Sequence, residues 1–475
     1  MLLRQVFDPY LAQYAYLIGC QKTGEAIVID PLRDIETYRE LAEANNLRIT
    51  AVAETHIHAD FVSGGVEFAA DPEVQLYLSA EGGPDWSYAW PGDRAKVTYL
   101  RHGDRFKVGN IQLEAVHSPG HTPEHLSYLI TDLGGGADQP LAIATGDFLF
   151  VGDVGRPDLL ETAAGQSGSM RPAAETLSVS LRERLQGIAD HVQVLPGHGA
   201  GSACGKSLGA VPVSTIGYEG LYNRPLRQAR ENEEEFVEMI LTGQPEPPPY
   251  FARMKQINRG GIAVTGGVPD APRLDASAFS GMEGPVLDAR ADTSAFAEGH
   301  VPGSLTAPLR SPYFSVVAGS YVEPNDAIRL VLDDASDLDL ALRQLYRIGY
   351  DNVAGWITAG ELRDAGLLTG QIKHVTFADW DDEAAAERGD VLDVRTKAEF
   401  DAGHLPGAYN IPYTRLRVRV DEVPTDPDPL YIHCGSGVRA ALAAAFLQSR
   451  GHSVVHVDGV CEACEQIAQA KGMAH

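Results

Sequence analysis

The sequence predicts a multidomain α/β protein, and three observations carry that expectation. In the first half, short apolar, β-rich runs each stop at a polar cluster: RITAVAE before THIHAD (55–60), NIQLEAV before HSPGH (117–121), PLAIATG before Asp147, and HVQVLPG before His198. Strands whose chemistry gathers on the loops at one end suggest a layered sandwich. In the second half, the strand-like runs PVLDAR and DVLDVR alternate with the helical patterns ALRQLYRIG and RAALAAAFLQSRG, and further apolar runs, NVAGW and VVHVDG, follow. That alternation predicts parallel sheets. The third observation is a repeat. LDARADTSAFAEGHVPGS at 287–304 matches LDVRTKAEFDAGHLPGA at 392–408, so Asp288, Arg290, Gly299, His300, Pro302 and Gly303 recur as Asp393, Arg395, Gly403, His404, Pro406 and Gly407. The interval is domain-sized, well beyond the ~20–50 residues of solenoid repeats. Between the halves, QPEPPPY (244–250) has four prolines in five positions and predicts an extended spacer. The expected domains are 1–250, 251–370 and 371–475.

Composition narrows the function classes. The chain has 475 residues, in line with three domains at roughly 150 residues each. Its 65 acidic and 38 basic residues leave a formal net charge of −27, which repels phosphate backbones and anionic lipid and argues against nucleic acid or membrane as partner. No apolar run approaches the ~18–20 residues of a membrane helix. The start, MLLRQVFDPYLAQYAYLIGC, lacks the apolar core of an export signal. Five cysteines are too few for a disulfide framework, so a reducing cytoplasm is expected, with any special Cys reactive rather than structural.

His56, His58, Asp60, His121, Asp147 and His198 are ligand types used by Zn, Fe and Mn. Two His spaced i, i+2 on extended backbone point to one side, and Gly or Pro beside the later three marks tight turns at strand ends. In this order THIHAD, SPGHT, TGD and PGH resemble the metallo-β-lactamase family over about residues 1–245, which implies an αββα sandwich. That family's motif is H-x-H-x-D-H, its last His serving a second metal. Phe61 stands in that place, so a single metal ion is expected. Resemblance to the persulfide dioxygenase branch implies one Fe(II) per chain, which zinc can replace in purified protein, held by His56, His121 and Asp147. Two His and one carboxylate with open positions suit non-haem Fe(II) oxygenases. His58, Asp60 and His198 then orient ligands or a water, with His58 as an extra ligand in a more hydrolase-like site. That branch also has an Arg nine residues after the metal Asp, in a G-R-x-D turn that binds the thiol carrier. GRPD supplies Arg156 at this spacing.

Near the C-terminus, DPLYIHCGSGVRAALAAAFLQ places Cys434 between an apolar strand and an Ala-rich helix. Backbone N–H groups of Gly435, Ser436, Gly437 and Val438 can form an anion-binding nest there, with Arg439 at its far end, a place to hold S⁻ or S–S⁻. With DVR at 393–395 and EFDAGHLPGAYNIP at 399–412, this resembles the rhodanese family over roughly 373–475. The resemblance implies that Cys434 accepts sulfane sulfur and Arg439 closes its loop, while His300 and His404 are structural. The earlier repeat, about 273–370, looks like a second rhodanese module, but its corresponding loop reads LVLDDASDLDL. Asp333 and Asp334 stand near the nucleophile position, and no Cys occurs from 205 to 433. An acidic loop cannot stabilise a persulfide anion, so this module is expected to be catalytically silent. Cys204, in PGHGAGSACGKSLG, completes a resemblance of the whole chain to bacterial persulfide dioxygenase–sulfurtransferase fusions, which implies a sulfur-carrying thiol facing the iron cavity. Cys20 is expected in the core. Cys461 and Cys464 form a lone C-x-x-C, weak for zinc, and are read as non-essential.

The resemblance implies oxidation of a small-molecule thiol persulfide by O₂ to sulfite and thiol. Cys434 would exchange sulfane sulfur among persulfide, sulfite and thiosulfate, in sulfide detoxification, and the chain would form a homo-oligomer. One rival is a zinc thioester hydrolase of the glyoxalase II kind, against which Phe61 argues. The other is a non-enzymatic sulfur-binding scaffold, supported only by the silent middle module.

Overall fold

The computed structural model describes the chain except residues 93–94, 160–167, 378, 381–390, 426–427, 463, 465 and 467–475. It separates into two compact units, Met1–Val268 with Arg347–Gly349, and Pro269–Tyr346 with Tyr350–His475.

The first unit holds two six-stranded sheets among the described residues. One runs in order β1 (Leu2–Asp8), β2 (Gln13–Cys20), β3 (Glu25–Ile29), β4 (Arg48–Ala53), β5 (Gln75–Ser79) and β6 (Lys96–Leu100). Its first three strands are antiparallel, and β3 to β6 pair in parallel. The other comprises β7 (Arg105–Val108), β8 (Ile111–His117), β9 (Leu126–Asp132), β10 (Ala142–Gly146), β11 (Gln193–Pro196) and β12 (Ser214–Thr215), again in sequence order across the sheet. Only its β10–β11 pair is parallel.

Side-chain alternation shows why the sheets stack. On β2, Tyr14, Tyr16 and Ile18 join Ile111, Leu113, Tyr128 and Ala144 between the sheets, while Ala15 and Leu17 face Tyr38 and Ala42 of the helix Glu36–Ala44. On β10, Ala142 and Ala144 face the sheet interface. Ile143 faces Leu177 and Leu181 of the helix Met170–Glu183, and Phe236 and Ile240 of the helix Glu233–Leu241. Period-two strands between two amphipathic helical layers produce the αββα sandwich. Each large apolar side chain so buried stabilises it by ~1.5–3 kcal/mol.

The second unit contains two parallel sheets among the described residues. One orders β14 (Leu305–Thr306), β13 (Val286–Asp288), β15 (Ile328–Leu332) and β16 (Val353–Thr358). The other orders β17 (Lys373–Thr376), β21 (Val454–Asp458), β20 (Leu430–His433), β18 (Val391–Asp393) and β19 (Tyr409–Asn410). The repeated D-x-R segments lie at corresponding places, Asp288–Arg290 after β13 and Asp393–Arg395 after β18. In each, the Arg guanidinium doubles back onto the buried Asp and onto a glycine carbonyl, Gly299 or Gly403. Within this unit the halves pack through Tyr321 stacked on Phe446 at 4.3 Å, and His300 Nε2 meets Gln448 Oε1 at 3.0 Å. The lone C-x-x-C, weak for zinc, is closed on itself: Cys461 is bonded to Cys464. No helix among the described residues is long and apolar enough to cross a membrane.

Candidate metal centre and sulfur-carrying loop

The polar clusters converge because the strands that precede them, β4, β8, β10 and β11, end on one rim of the sandwich. Gly155 and Gly197 let the turns close on Asp147. A Cβ at Gly155 would lie 1.8 Å from the Asp147 carbonyl oxygen, and one at Gly197 2.5 Å from Asp147 Oδ1. His56, His121 and Asp147 form one buried group whose ligand atoms lie within 4.8 Å of one another. Asp147 Oδ2 is 3.5 Å from His121 Nε2 and 4.0 Å from His56 Nε2.

The surroundings decide which ring nitrogens face this centre. His121 Nδ1 lies 2.9 Å from the Arg156 carbonyl, which only accepts, so Nδ1 carries the proton and Nε2 presents its lone pair. His56 Nδ1 contacts Thr55 Oγ1 at 2.9 Å. That hydroxyl donates to Asp30 Oδ2 at 2.8 Å, so it accepts from the ring. The Asp147 amide donates to His125 Nε2 at 3.1 Å, and His125 Nδ1 turns to Ser118 Oγ. Burial, then neighbouring imidazoles, pushes His56 well below its ordinary pKa, and burial lowers His121. Neutral imidazoles with outward lone pairs are metal ligands in waiting. Both carboxylate oxygens of Asp147 are buried without a hydrogen-bond donor among the described residues. A buried acceptor-only set is costly unless a cation completes it, so these residues fit a metal ion.

The remaining candidates fall into two neighbouring groups. His58 turns away from the three ligands: its Nε2 is 3.2 Å from Asp30 Oδ1 and 3.4 Å from Glu54 Oε2. Burial opposes charge on His58, but Asp30 and Glu54 prevail and hold its pKa well above the usual value. Asp60, His198 and Cys204 form the other group. His198 Nε2 lies 3.3 Å from Asp60 Oδ2 and 3.6 Å from Asp147 Oδ1, so Asp147 stands between the two sets. Burial, reinforced by Asp60 and Asp147, drives the Cys204 thiol well above its ordinary pKa. Phe61 is fully buried in the apolar core, its ring 4.4 Å from that of His58. Arg156 does not reach into open space. It grips Asp158 through two bonds of 2.8 and 2.5 Å and donates to the Ala203 carbonyl at 2.7 Å, beside Cys204.

Sequence reasoning missed several supporting groups. Asp30 follows β3 with φ +51°, left-handed for a non-glycine residue, and its signal was an acid inside the apolar run IVIDPL. Asn258, on the helix Phe251–Gly260 beyond the proline spacer, donates to the carbonyls of His58 and Phe61 at 2.8 and 2.6 Å and so clamps the THIHAD loop. That helix lies in the first unit.

At the second candidate site, Cys434 is fully buried at the end of β20. Gly435 to Val438 turn the chain into the helix Val438–Ser449. Gly437 has φ +87°, and a Cβ there would lie 2.0 Å from Asp458 Oδ1, so only glycine fits. Arg439 is not a bare charge, as the sequence suggested. Glu399 holds it through two bonds of 2.7 Å. Burial works against the Glu399 carboxylate, but Arg439 and Thr396 outweigh it and bring its pKa to about 2. In the earlier repeat, the exposed Asp333 and Asp334 accept backbone N–H groups of Ala291 and Ser336, capping turns where the other module has its Cys434 loop. His300 and His404 stack on Phe296 and Phe400. Cys20 is buried. Burial raises its pKa, but hydrogen bonds from Thr23 and the Asn110 amide prevail and bring it to about 7.

Comparison with known proteins agrees with both halves. Residues 9–198 match the metallo-beta-lactamase superfamily and residues 378–466 the rhodanese-like domain. The chain is 30% identical over 248 residues to the Bos taurus mitochondrial persulfide dioxygenase ETHE1, covering 50% of this chain and 80% of that one. It is 29% identical to the Homo sapiens protein of that name over 42% of this chain and 68% of that one. A probable hydroxyacylglutathione hydrolase of Schizosaccharomyces pombe is 27% identical over 39% of this chain and 63% of that one. Among solved structures, a metallo-beta-lactamase from Staphylococcus aureus is 39% identical with a TM-score of 0.68, spanning 75% of this chain and 99% of that one. The chain therefore belongs to the persulfide dioxygenase branch of the metallo-beta-lactamase superfamily, with a rhodanese-like domain fused behind it.

Proposed function

We propose that this protein is a persulfide dioxygenase coupled to a rhodanese-type sulfurtransferase, serving sulfide detoxification in the cytoplasm. Its organisation is a dioxygenase domain that runs past the expected boundary at 250 to take in the helix Phe251–Gly260, then a silent rhodanese-like module to about 370 and an active one at 371–475. The observation that carries the reading is the donor set: two neutral imidazoles and one donor-less carboxylate, with Phe61, which stands where the motif's last His would, buried in the core. Fe(II), when bound there, supplies the redox capacity to combine O₂ with sulfane sulfur. The chain's own residues do the rest. Thr55 and the Arg156 carbonyl hold His56 and His121 in the tautomers that present Nε2, and His125 fixes the Asp147 backbone. Phe61 and the Asn258 clamp keep the THIHAD loop dry and rigid on its core side. The balanced overall reaction is RSSH + O₂ + H₂O → RSH + SO₃²⁻ + 2H⁺. Cys434 then carries sulfane sulfur within its loop, handing it to sulfite to form thiosulfate or receiving it back. Cys204, next to Asp60 and His198, takes part in sulfur hand-over at the first site in this reading.

Anaerobic metal analysis with an oxygen-electrode trace tests this. The expected result is iron bound to the first unit and O₂ uptake that requires added persulfide. The Asp60–His198–Cys204 group beside Asp147, together with the hydroxyacylglutathione hydrolase relatives, supports a second reading as a thioester hydrolase. Thioester cleavage without persulfide-dependent O₂ uptake would select it.

A further inference from the structure

The Cys461–Cys464 pair lies outside both sites described above, yet it touches the backbone that carries Cys434. The sulfurs lie in the apolar cluster of Trp380, Val391, Leu405 and Val457. The His433 imidazole is within 4.8 Å of both, and His433 is the residue immediately before Cys434. Its carbonyl accepts the Val394 amide at 3.0 Å, and its ring stands 3.7 Å from Asp393 Oδ2 with Phe377 on another side. A second route runs through β21, the strand that leads to the pair. His456 Nε2 meets the Gly437 carbonyl at 2.9 Å, and Asp458 packs where a Gly437 side chain would be. The pair thus meets the Cys434 loop at residue 433, and the strand that leads to the pair meets it at residue 437.

Both sulfurs are buried, and one hydrogen bond distinguishes them. Cys461 is flanked by Val460, 47% exposed, and by exposed Glu462, one residue from solvent. Its Sγ accepts the Cys464 amide N–H at 3.2 Å, an interaction that stabilises a thiolate. Cys464 is equally buried and is bonded to it.

We propose that Cys461 and Cys464 form a thiol–disulfide switch that sets the Cys434 loop, closed by small molecules that contain an S–S bond. The link to activity rests on the reading of Cys434 as a sulfur carrier. From the dithiol state, the Cys461 thiolate attacks one sulfur of R–S–S–R′, its bond to R′S breaks, and R′S⁻ leaves. The Cys464 thiolate then attacks Cys461 Sγ in the mixed disulfide and expels RS⁻. The two protein thiols lose two electrons, the small-molecule S–S bond gains them, and the two thiol protons end on RSH and R′SH. For a persulfide R′ is hydrogen, and the second product is hydrogen sulfide. The bonded state packs His433 and β21 as described and leaves the loop ready for sulfur. The dithiol state releases that packing.

The test uses the full chain, equilibrated without oxygen. One arm is a series of glutathione and glutathione disulfide ratios, and the other is a low-molecular-weight persulfide. Free thiols are alkylated and assigned by peptide mass spectrometry, and thiosulfate-to-cyanide sulfur transfer is measured on the same samples. The expected result is that the pair interconverts, and that transfer is about fivefold faster in the bonded state, about 1 kcal/mol on the barrier. Paired Cys461→Ser and Cys464→Ser substitutions should stay at the slow rate in every buffer. Because that variant keeps Cys434, it also reports any effect of the buffer on Cys434 itself. His433→Gln should let the pair titrate while transfer stops following it. Hydrogen exchange of β20 and β21 checks that each variant is folded, and Cys464→Ala replaces the paired variant if it is not. A pair that stays bonded under full reduction, or a paired variant as redox-responsive as the wild type, overturns the switch. Wild type transferring equally in both states overturns the switch alone. Wild type transferring in neither overturns the carrier reading and the switch with it. Closure by only one arm identifies the natural oxidant class.

Discussion

Arg156→Met separates two roles for an arginine that the sequence assigned to the thiol carrier. In the structure its guanidinium is almost fully buried, bound twice to the buried Asp158 and once to the Ala203 carbonyl. Methionine keeps much of the apolar stem and deletes the charge. Removing one partner of a buried pair leaves the other charge desolvated, a loss of ~3–5 kcal/mol, far above the ~0–1 kcal/mol of an exposed pair. Adding Asp158→Leu should recover most of that loss, because the desolvated carboxylate is then gone. Urea titration with peptide-resolved hydrogen exchange reads the first unit separately, as a chain of several units does not unfold in one transition. His121 leans on the backbone carbonyl of the same residue, so metal affinity should also fall, by roughly 10–100-fold. If Arg156→Met costs less than ~1 kcal/mol and raises only the KM for persulfide, the arginine reads substrate and the structural argument is wrong.

His121→Ala should abolish both bound iron and persulfide-dependent O₂ consumption, checked by metal analysis and the oxygen electrode. Cys434→Ser should remove thiosulfate-to-thiol sulfur transfer and leave O₂ uptake intact; loss of both would show that the two sites do not work independently. Glu399→Gln should destabilise the C-terminal module near neutral pH by about 1 kcal/mol, a value reduced for the partial exposure of Glu399. Because the folded pKa of about 2 lies below the ordinary 4.5, this stabilisation is present above pH 4.5 and is lost as pH falls toward 2. Wild type and variant should therefore converge in acid, as followed by hydrogen exchange of β18 and β20.

Local spacing carried much of the chemistry. THIHAD, SPGHT, TGD and CGSGVR each put their key side chains on a few consecutive residues at the ends of strands, although His58, expected on the same side as His56, turns instead to Asp30 and Glu54. Strand alternation and the D-x-R repeat likewise made the sandwich and the parallel sheets legible, since both depend on period-two and strand–helix patterning within short windows. Contacts between distant segments were not legible in this way.

By itself, then, the sequence determined the α/β layering, the order of the metal-capable residues, the aromatic at position 61, and a glycine-rich loop around Cys434. Tertiary structure alone decided that His58 belongs to Asp30 and Glu54, that Arg156 is spent on Asp158, and that Glu399 neutralises Arg439. It also decided that Cys461, Cys464 and His433 meet beneath the Cys434 loop. The physical reason is that a buried charge or sulfur takes its partner from whatever the packed core brings within a few ångströms, and no local pattern records that choice.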